Sequence, residues 1–529
     1  MGTYLNPGNS GFAEIMNCDY QDKTGMIGLI NDRINTPNKL ICISRPRRFG
    51  KSYAAKMLCA YYDHTCNSAR LFDGTEISLS ENYQDRMNKY NVIYLDIAGF
   101  VSDVKRRDGN IKAVVNEIAE AVRLELIADR PELKEQNKLS KCMLEYVETT
   151  NMKLVFIIDE WDAIIREAKT DSDTQEAYLS LLREWFKNGN FTSKAVAAAY
   201  MTGILPIKKD KSQSAISDFD EYTVLEPGEF SDYIGFTEKE VKTLCEKSGM
   251  SFGEAKQWYD GYTFSDNQSI YNPYSIMRAM RKKVFRSYWQ HTSAAENLET
   301  LININKDGLQ EDILKLIAGE QLIVNTNRFK NDFTSFSSKD DVLTLLTHLG
   351  YLVYNNRTRR VRIPNEEVRF EFEELLQNAQ HTQLADLITA SELLLKDTLS
   401  CNETAVADTI AKVRETNYAP MFYNNEQALR YVIKFAYIVC IDYYLKVEEL
   451  PTDNGIADVV FIPKRDTSLP AMIVELKWNE SAESAIEQIK KKNYPAILTG
   501  YEGELVLVGI NYNEKTKDHS CKIERIDIL

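Results

Sequence analysis

Apolar residues in the first two hundred positions gather in four short runs: "NKLICI" (38–43), "NVIYLDI" (91–97), "KLVFII" (153–158) and "AVAAAYMTGIL" (195–205). Each is too short for a core helix and rich in strand-forming residues, so each reads as a buried strand of one parallel sheet. After the first run, "SYAAKMLCAYYD" places Tyr53, Met57, Ala60 and Tyr61 on or near one face of a helix. From about 300 to 395 the pattern turns helical in "EDILKLIAG" and "DDVLTLLTHLGYL", then hairpin-like in "YLVYNNRTRRVRIPNEEV". Helix, helix and basic hairpin predict a winged-helix-like segment whose Arg357, Arg359, Arg360 and Arg362 either grip phosphates or line a solvated strand face. Two further runs, "NGIADVVFIP" (454–463) and "AMIVELKW" (471–478), read as strands with alternate residues on opposite faces.

The predicted fold class is α/β. An N-terminal parallel sheet flanked by helices (1–295) precedes a mainly helical, winged-helix-like middle (296–395) and a C-terminal α/β domain (396–529). A length of 529 residues suits this division, since one core does not grow that large. Hydrophobic residues at 44% and charged residues at 27% are those of an ordinary globular protein, and no apolar run approaches the ~18 residues of a membrane helix. The opening "MGTYLNPGNSGFAEIM" has no basic flank before an apolar stretch, and Asn6 stands where a myristoylation signal wants Ser or Thr, so the expected location is cytoplasmic. Nine cysteines without CxxC spacing and five scattered histidines argue against zinc. The net charge of −14 restricts any nucleic-acid contact to a local basic groove.

Candidate chemistry first appears at "SRPRRFGKS" (44–52), between a predicted strand and a predicted helix. Strand, loop and helix start form a phosphate cradle: backbone N–H groups face the anion and Gly50 lets the chain come close. Lys51 would reach the β- and γ-phosphates, and Ser52 would offer its hydroxyl to Mg²⁺. The glycine that usually opens such a loop is Arg45 here. A strand delivering Asp159 and Glu160 at its C-terminal tip supplies the partner. Asp159 would hold Mg²⁺ through water and Glu160 would polarise the attacking water, whereas a solvated acidic turn is the bland alternative. Asp162 is expected to face solvent or serve structure. Thr202, at the end of the fourth run, suits either a sensor of the γ-phosphate or a turn.

These stretches, with "YQDKTGMIGLI", "YMTGILPI", "WYDGYTF" and "IYNPYSIMRAM", resemble the AAA-ATPase-like family of bacterial P-loop proteins over about residues 5 to 290. The resemblance implies that ATP is held by Arg47, Arg48, Phe49, Gly50, Lys51 and Ser52 with Asp159 and Thr202, and that Arg45 is a family variant. The residues themselves leave open whether Arg47 and Arg48 meet phosphate or nearby acidic surface. The aromatic turns around Gly261 and Pro273 are expected to pack rather than bind.

The second constellation lies in the last two strands. Antiparallel pairing of Ile462 with Ala471 sets Asp458 opposite Glu475, and Lys477 shares the face of Glu475. Asp458, Glu475 and the Leu476 carbonyl would offer hard oxygens to Mg²⁺, with Lys477 orienting or deprotonating water. Two amphipathic strands with exposed charges are the alternative. The order Asp, then Glu-x-Lys, resembles the PD-(D/E)xK nuclease superfamily over about 400–529. That resemblance adds Glu426 as a metal ligand, Gln488 as a phosphate-positioning residue and Tyr494 as a weaker addition. Lys490, Lys491 and Lys492 would give a local grip on nucleic acid. The chain is therefore expected to be an ATPase coupled to a Mg²⁺-dependent nuclease, acting on nucleic acid (DNA before RNA) in defence or mobile-element biology, with homo-oligomerisation open. A nucleotide-switched interaction protein whose nuclease-like domain only binds is the competing expectation.

Overall fold

The computed structural model describes residues 2–81, 83–107, 110–207, 209–210, 213–214, 216–289, 298, 301–302, 306–317, 319–331, 336–378, 382–417, 429–430, 432–433, 436–437, 439–452, 455–464, 469–491 and 503–528, apart from 265–267. The chain divides into two compact units, one of 1–309 with 321–371 and one of 310–320 with 372–529. Among the described residues no helix is long and apolar enough to cross a membrane.

In the first unit, β1 (Leu40–Ser44) leads into α1 (Lys51–Tyr62), followed by β2 (Asn91–Asp96), β3 (Leu154–Asp159), β4 (Val196–Gly203) and β5 (Asp220–Tyr222). The five strands form one parallel sheet in the order β2–β3–β4–β1–β5. Its two faces bury separate cores. Leu40, Cys42, Phe156, Ile158 and Met201 enter one, while Ile41, Ile43, Val155, Ile157 and Tyr200 enter the other. Burial on both faces explains why the runs are continuous rather than alternating. Because β4 lies between β1 and β3, its tip stands between the phosphate loop and Asp159.

Helix α2 (Pro273–Lys282) starts from Asn272, whose side chain accepts from the Tyr274 and Ser275 amides. Further on come β6 (Leu322–Ile323), α3 (Lys339–Leu349), β7 (Val353–Asn355) and β8 (Arg360–Arg362), with strand order β6–β8–β7; α3 and the β7–β8 hairpin are the second helix and the basic hairpin that the pattern predicts. The hairpin arginines divide: Arg357, Arg359 and Arg360 are exposed, whereas Arg362 donates to the carbonyls of Gly261 and Pro364. Of the two aromatic turns, the one around Gly261 is packing, as expected, whereas Pro273 and Tyr274 of the other line a cleft shared with residues 48–52. A Cβ at Gly261 would stand 2.0 Å from the Pro364 oxygen, and Tyr262 Oη donates to the Gly350 carbonyl at 2.8 Å.

Glu367 lies buried below this turn, accepting from Ser275 Oγ at 2.9 Å and from the Tyr288 amide at 2.8 Å. Burial pushes its pKa up to about 8, against the opposing pull of those two hydrogen bonds. The folded state therefore holds a proton that an unfolded chain releases near its ordinary value of ~4.3. Stability from this group is fully present below the unfolded pKa and is lost as pH rises towards 8, at up to ~1.4 kcal/mol per unit. Glu367→Gln should flatten that loss, so melting temperatures of the variant and wild type, similar at pH 5, should separate in favour of the variant by pH 8.

The second unit carries β9 (Tyr444–Thr452), β10 (Gly455–Pro463), β11 (Ala471–Trp478), α4 (Ala482–Lys491), β12 (Gly503–Asn513) and β13 (Asp518–Ile528). The sheet runs in that strand order and is antiparallel except between β11 and β12, which α4 joins as a crossover. The helix packs Ile486 and Ile489 onto Ile473, Leu505 and Leu507. Gly509, the partner of Glu475 in the sheet, makes room for it: a Cβ there would stand 2.3 Å from the Ala482 oxygen.

Candidate active sites

The phosphate loop runs from Ser44 to the start of α1. Gly50 has φ 93°, and the space a Cβ would fill there has nothing within 4 Å, which is the open left-handed turn the loop needs. Lys51 is buried, and its Nζ donates to the carbonyls of Arg45 at 3.0 Å and Pro46 at 2.8 Å. Burial lowers its pKa, while Glu160 and Asp159 oppose that shift.

Arg45 does not reach into the cleft. It is fully buried and donates to the carbonyls of Ser44 at 3.1 Å, Tyr222 at 2.9 Å and Pro227 at 3.3 Å, tying the loop to the edge strand. Burial draws its pKa to about 9, so it remains a cation at neutral pH. Arg45→Met should therefore cost folding stability, about 2–4 kcal/mol by denaturant titration, because buried carbonyls lose a charged donor. In the fraction that folds, ATP affinity should stay within about tenfold of wild type by calorimetry.

The flanking residues split in role. The Phe49 side chain is buried edge-on against Tyr262, with ring centroids 5.1 Å apart, so it anchors the loop in the core. Arg48 has φ 69°, donates to the Tyr288 carbonyl at 2.9 Å and lies 3.9 Å over the Tyr274 ring. Arg47 is half-buried with its pKa lowered, first by burial and then by Arg166. A cleft of about 570 Å³ opens beside the loop, lined by Arg48, Lys51, Tyr20, Met57, Tyr274 and Met277 among others.

At the neighbouring strand tips, Asp159 accepts from Thr202 Oγ1 and from the Ser52 hydroxyl. Burial raises its pKa against those bonds and the Lys51 charge. Ser52, Asp159, Thr202 and Lys51 are thus brought together. Glu160 follows with φ 49°, a left-handed conformation costing about 1 kcal/mol for a residue with a side chain, and its amide faces Asp159 Oδ1 at 3.1 Å. Its carboxylate pairs with Arg166. Burial would raise the Glu160 pKa, but Arg166 and Lys51 outweigh it and hold the group below its ordinary value. Arg166 also meets Asp162 at 3.2 Å, and Asp162 accepts from the Ile204 and Leu205 amides, so Asp162 is buried and structural. Sequence reasoning passed over Arg166; its place one turn after Asp162 is a signal only once Asp162 is known to be inside.

In the second unit, Val459, Val460 and Phe461 pair with Val474, Ile473 and Met472, the register the strand pattern predicts, and its next step sets Asp458 opposite Glu475. Both carboxylates are buried. Asp458 Oδ2 accepts from the Leu476 amide at 2.8 Å, so it is the amide of Leu476 that meets this carboxylate, and Oδ1 pairs with Arg430. Gln488, on α4, bridges the other two groups: its Oε1 accepts from Lys477 Nζ at 2.7 Å, and its Nε2 donates to Glu475 Oε1. Lys490 pairs with Glu524 on the exposed side of the same helix. Glu426, Lys492 and Tyr494 lie outside the described residues. Sequence reasoning missed Arg430, which sits 28 positions before its partner, in the stretch where the resemblance singles out Glu426 instead.

Comparison with known proteins agrees with both halves. The family described as Predicted AAA-ATPase matches residues 8–212, and the PD-(D/E)XK nuclease superfamily matches residues 424–520. Along its length the chain is 22% identical to an uncharacterized protein from the vnfD 5′ region of Azotobacter chroococcum mcd 1, covering 96% of each. Among solved structures it is similar to the ORC2 protein of Aeropyrum pernix, at 12% identity and a TM-score of 0.29 over 69% of this chain and 97% of that one. It is also similar to Cdc6p of Pyrobaculum aerophilum, at 13% identity and a TM-score of 0.25 over 67% and 92%. The chain therefore joins an AAA-ATPase-like P-loop segment to a PD-(D/E)XK nuclease superfamily segment in one polypeptide.

Proposed function

We propose that the chain hydrolyses ATP in its first unit and cleaves phosphodiester bonds of nucleic acid in its second. The observation that carries the nuclease half is the convergence of Asp458, Glu475 and Lys477, on the second and central strands of a mixed sheet, with Gln488 on α4. Two buried carboxylates on adjacent strands, one already facing a cation, fit a hard divalent ion. Magnesium, when bound at either site, supplies positive charge for phosphate oxygens and eases the ionisation of water. Asp458 and Glu475 would hold it in the second unit, and Ser52 and Asp159 in the first.

The rest is done by the protein's own groups. Lys51 exchanges its two loop carbonyls for phosphate oxygens, and the amides at the start of α1 complete the cradle. Glu160, kept ionised by Arg166 and Lys51, accepts hydrogen bonds from the attacking water. Thr202 fixes the Asp159 carboxylate. In the second unit Lys477 orients water towards the phosphorus and steadies the charge that develops there, with Gln488 fixing its ammonium. Glu426 would add a further carboxylate, and Lys490 a contact to the nucleic-acid backbone in exchange for Glu524. A role in defence or mobile-element maintenance, a cytoplasmic location and three-domain boundaries near 295 and 395 belong to the same reading. The test is incubation of supercoiled plasmid and of RNA with the full chain and Mg²⁺, with and without ATP. Nicking or linearisation supports the reading; intact substrates alongside measurable ATP turnover favour a nucleotide-switched binding protein.

A further inference from the structure

The carboxylate pair of the second unit is engaged by the protein's own cationic and amide groups. Arg430 faces Asp458 Oδ1, the Leu476 amide takes Oδ2, and the Gln488 amide, itself held by Lys477, takes Glu475 Oε1. Of these, the backbone amide is fixed by the sheet, and the Gln488 contact is between a neutral amide and a carboxylate. Arg430 differs: it is a full charge on a long side chain, 20% exposed, set against a carboxylate that is 9% exposed. A cation approaching Asp458 Oδ1 competes with it for the same oxygen, and the two positive charges repel at a few ångströms in a site poorly screened by water.

We propose that Arg430 is a resident counter-ion of Asp458 that a divalent cation must displace, so that this side chain sets the cation concentration at which the second site loads. This role rests on the nuclease reading and adds to it what regulates metal entry. It explains how two opposed carboxylates stay buried together before a metal arrives, where an unpaired buried charge would be costly. It also gives the site two discrete states, one with the guanidinium on Asp458 and one with the metal there and the guanidinium released from it.

The test titrates the nucleotide-free full chain with Mn²⁺ by calorimetry, with Asp458→Ala protein as the baseline for heat from elsewhere. Arg430→Gln is expected to bind Mn²⁺ about tenfold more tightly than wild type. Arg430→Lys keeps the charge but loses the planar fork, and is expected to fall between the two. In EDTA the glutamine variant should melt below wild type, and Mn²⁺ should raise its melting temperature by more than it raises that of wild type. Equal or weaker Mn²⁺ binding in Arg430→Gln overturns the proposal; if that variant does not fold, unchanged affinity in Arg430→Lys overturns it instead. The outcome is separable from the nuclease reading. Tighter metal binding in a protein that cleaves nothing leaves Arg430 in its role and removes the nuclease, whereas plasmid cleavage by wild type with unaltered Mn²⁺ affinity in both variants does the reverse.

Discussion

Lys51→Ala is expected to lose nucleotide binding by at least about a hundredfold, ~2.7 kcal/mol, while the protein stays folded. The ammonium is held inside the loop by the loop's own carbonyls, and the triphosphate would replace those carbonyls as its partner. Removing it sets the negative phosphates opposite Asp159 and Glu160 without that charge to offset the repulsion. Glu160→Gln should behave differently. The amide keeps the shape and can still meet Arg166, so ATP should bind at close to wild-type affinity, while turnover falls about 10²–10⁴-fold for want of a base. Calorimetry with ATP and a phosphate-release assay separate the two. Unaltered ATP affinity in folded Lys51→Ala protein would show that nucleotide is held somewhere other than this loop.

Asp458→Ala should abolish Mg²⁺-dependent cleavage and leave ATP hydrolysis at the wild-type rate. The same change should remove the stabilisation that a divalent cation gives the second unit, which amounts to ~2.7 kcal/mol at a cation concentration a hundred times the dissociation constant. Lys477→Ala should separate the effects: its ammonium meets Gln488 rather than either carboxylate, so the melting-temperature rise with Mg²⁺ should persist while cleavage is lost. Plasmid nicking and thermal melts with and without Mg²⁺, on wild type and both variants, read this directly. Wild-type cutting by Asp458→Ala would take the nuclease assignment away.

Much of the fold and of both sites is legible in the order of residues alone. Unbroken apolar runs announce strands covered on both sides, and the alternate entry of Leu40 and Ile41 into opposite cores is that prediction in three dimensions. The register that sets Asp458 against Glu475 follows from period-two geometry and one assumed pairing. What stays hidden depends on long-range contacts. Arg166 is a surface-like residue by pattern, yet it is buried because Asp162 beside it turns inwards. Arg430 and Asp458 are brought together across 28 positions by packing that no local pattern announces. Phe49 looks like part of the cradle because it sits inside the motif, whereas its ring serves the core. Motif membership specifies where the backbone goes and is silent about each side chain's destination.

The anchoring of Arg45 to the edge strand bears on how fast and at what thermodynamic cost nucleotide arrives. A loop whose arginine is bonded to Tyr222 and Pro227, and whose lysine is bonded to its own carbonyls, is tied down before any nucleotide arrives. Little backbone entropy is left to lose on association, and the lysine that re-aims is already ordered, so the main change is an exchange of its hydrogen-bond partners. Such a receptor meets its ligand in a single kinetic phase with no slow isomerisation after encounter. It also shows only a small negative heat-capacity change, since no apolar segment folds up as the anion docks.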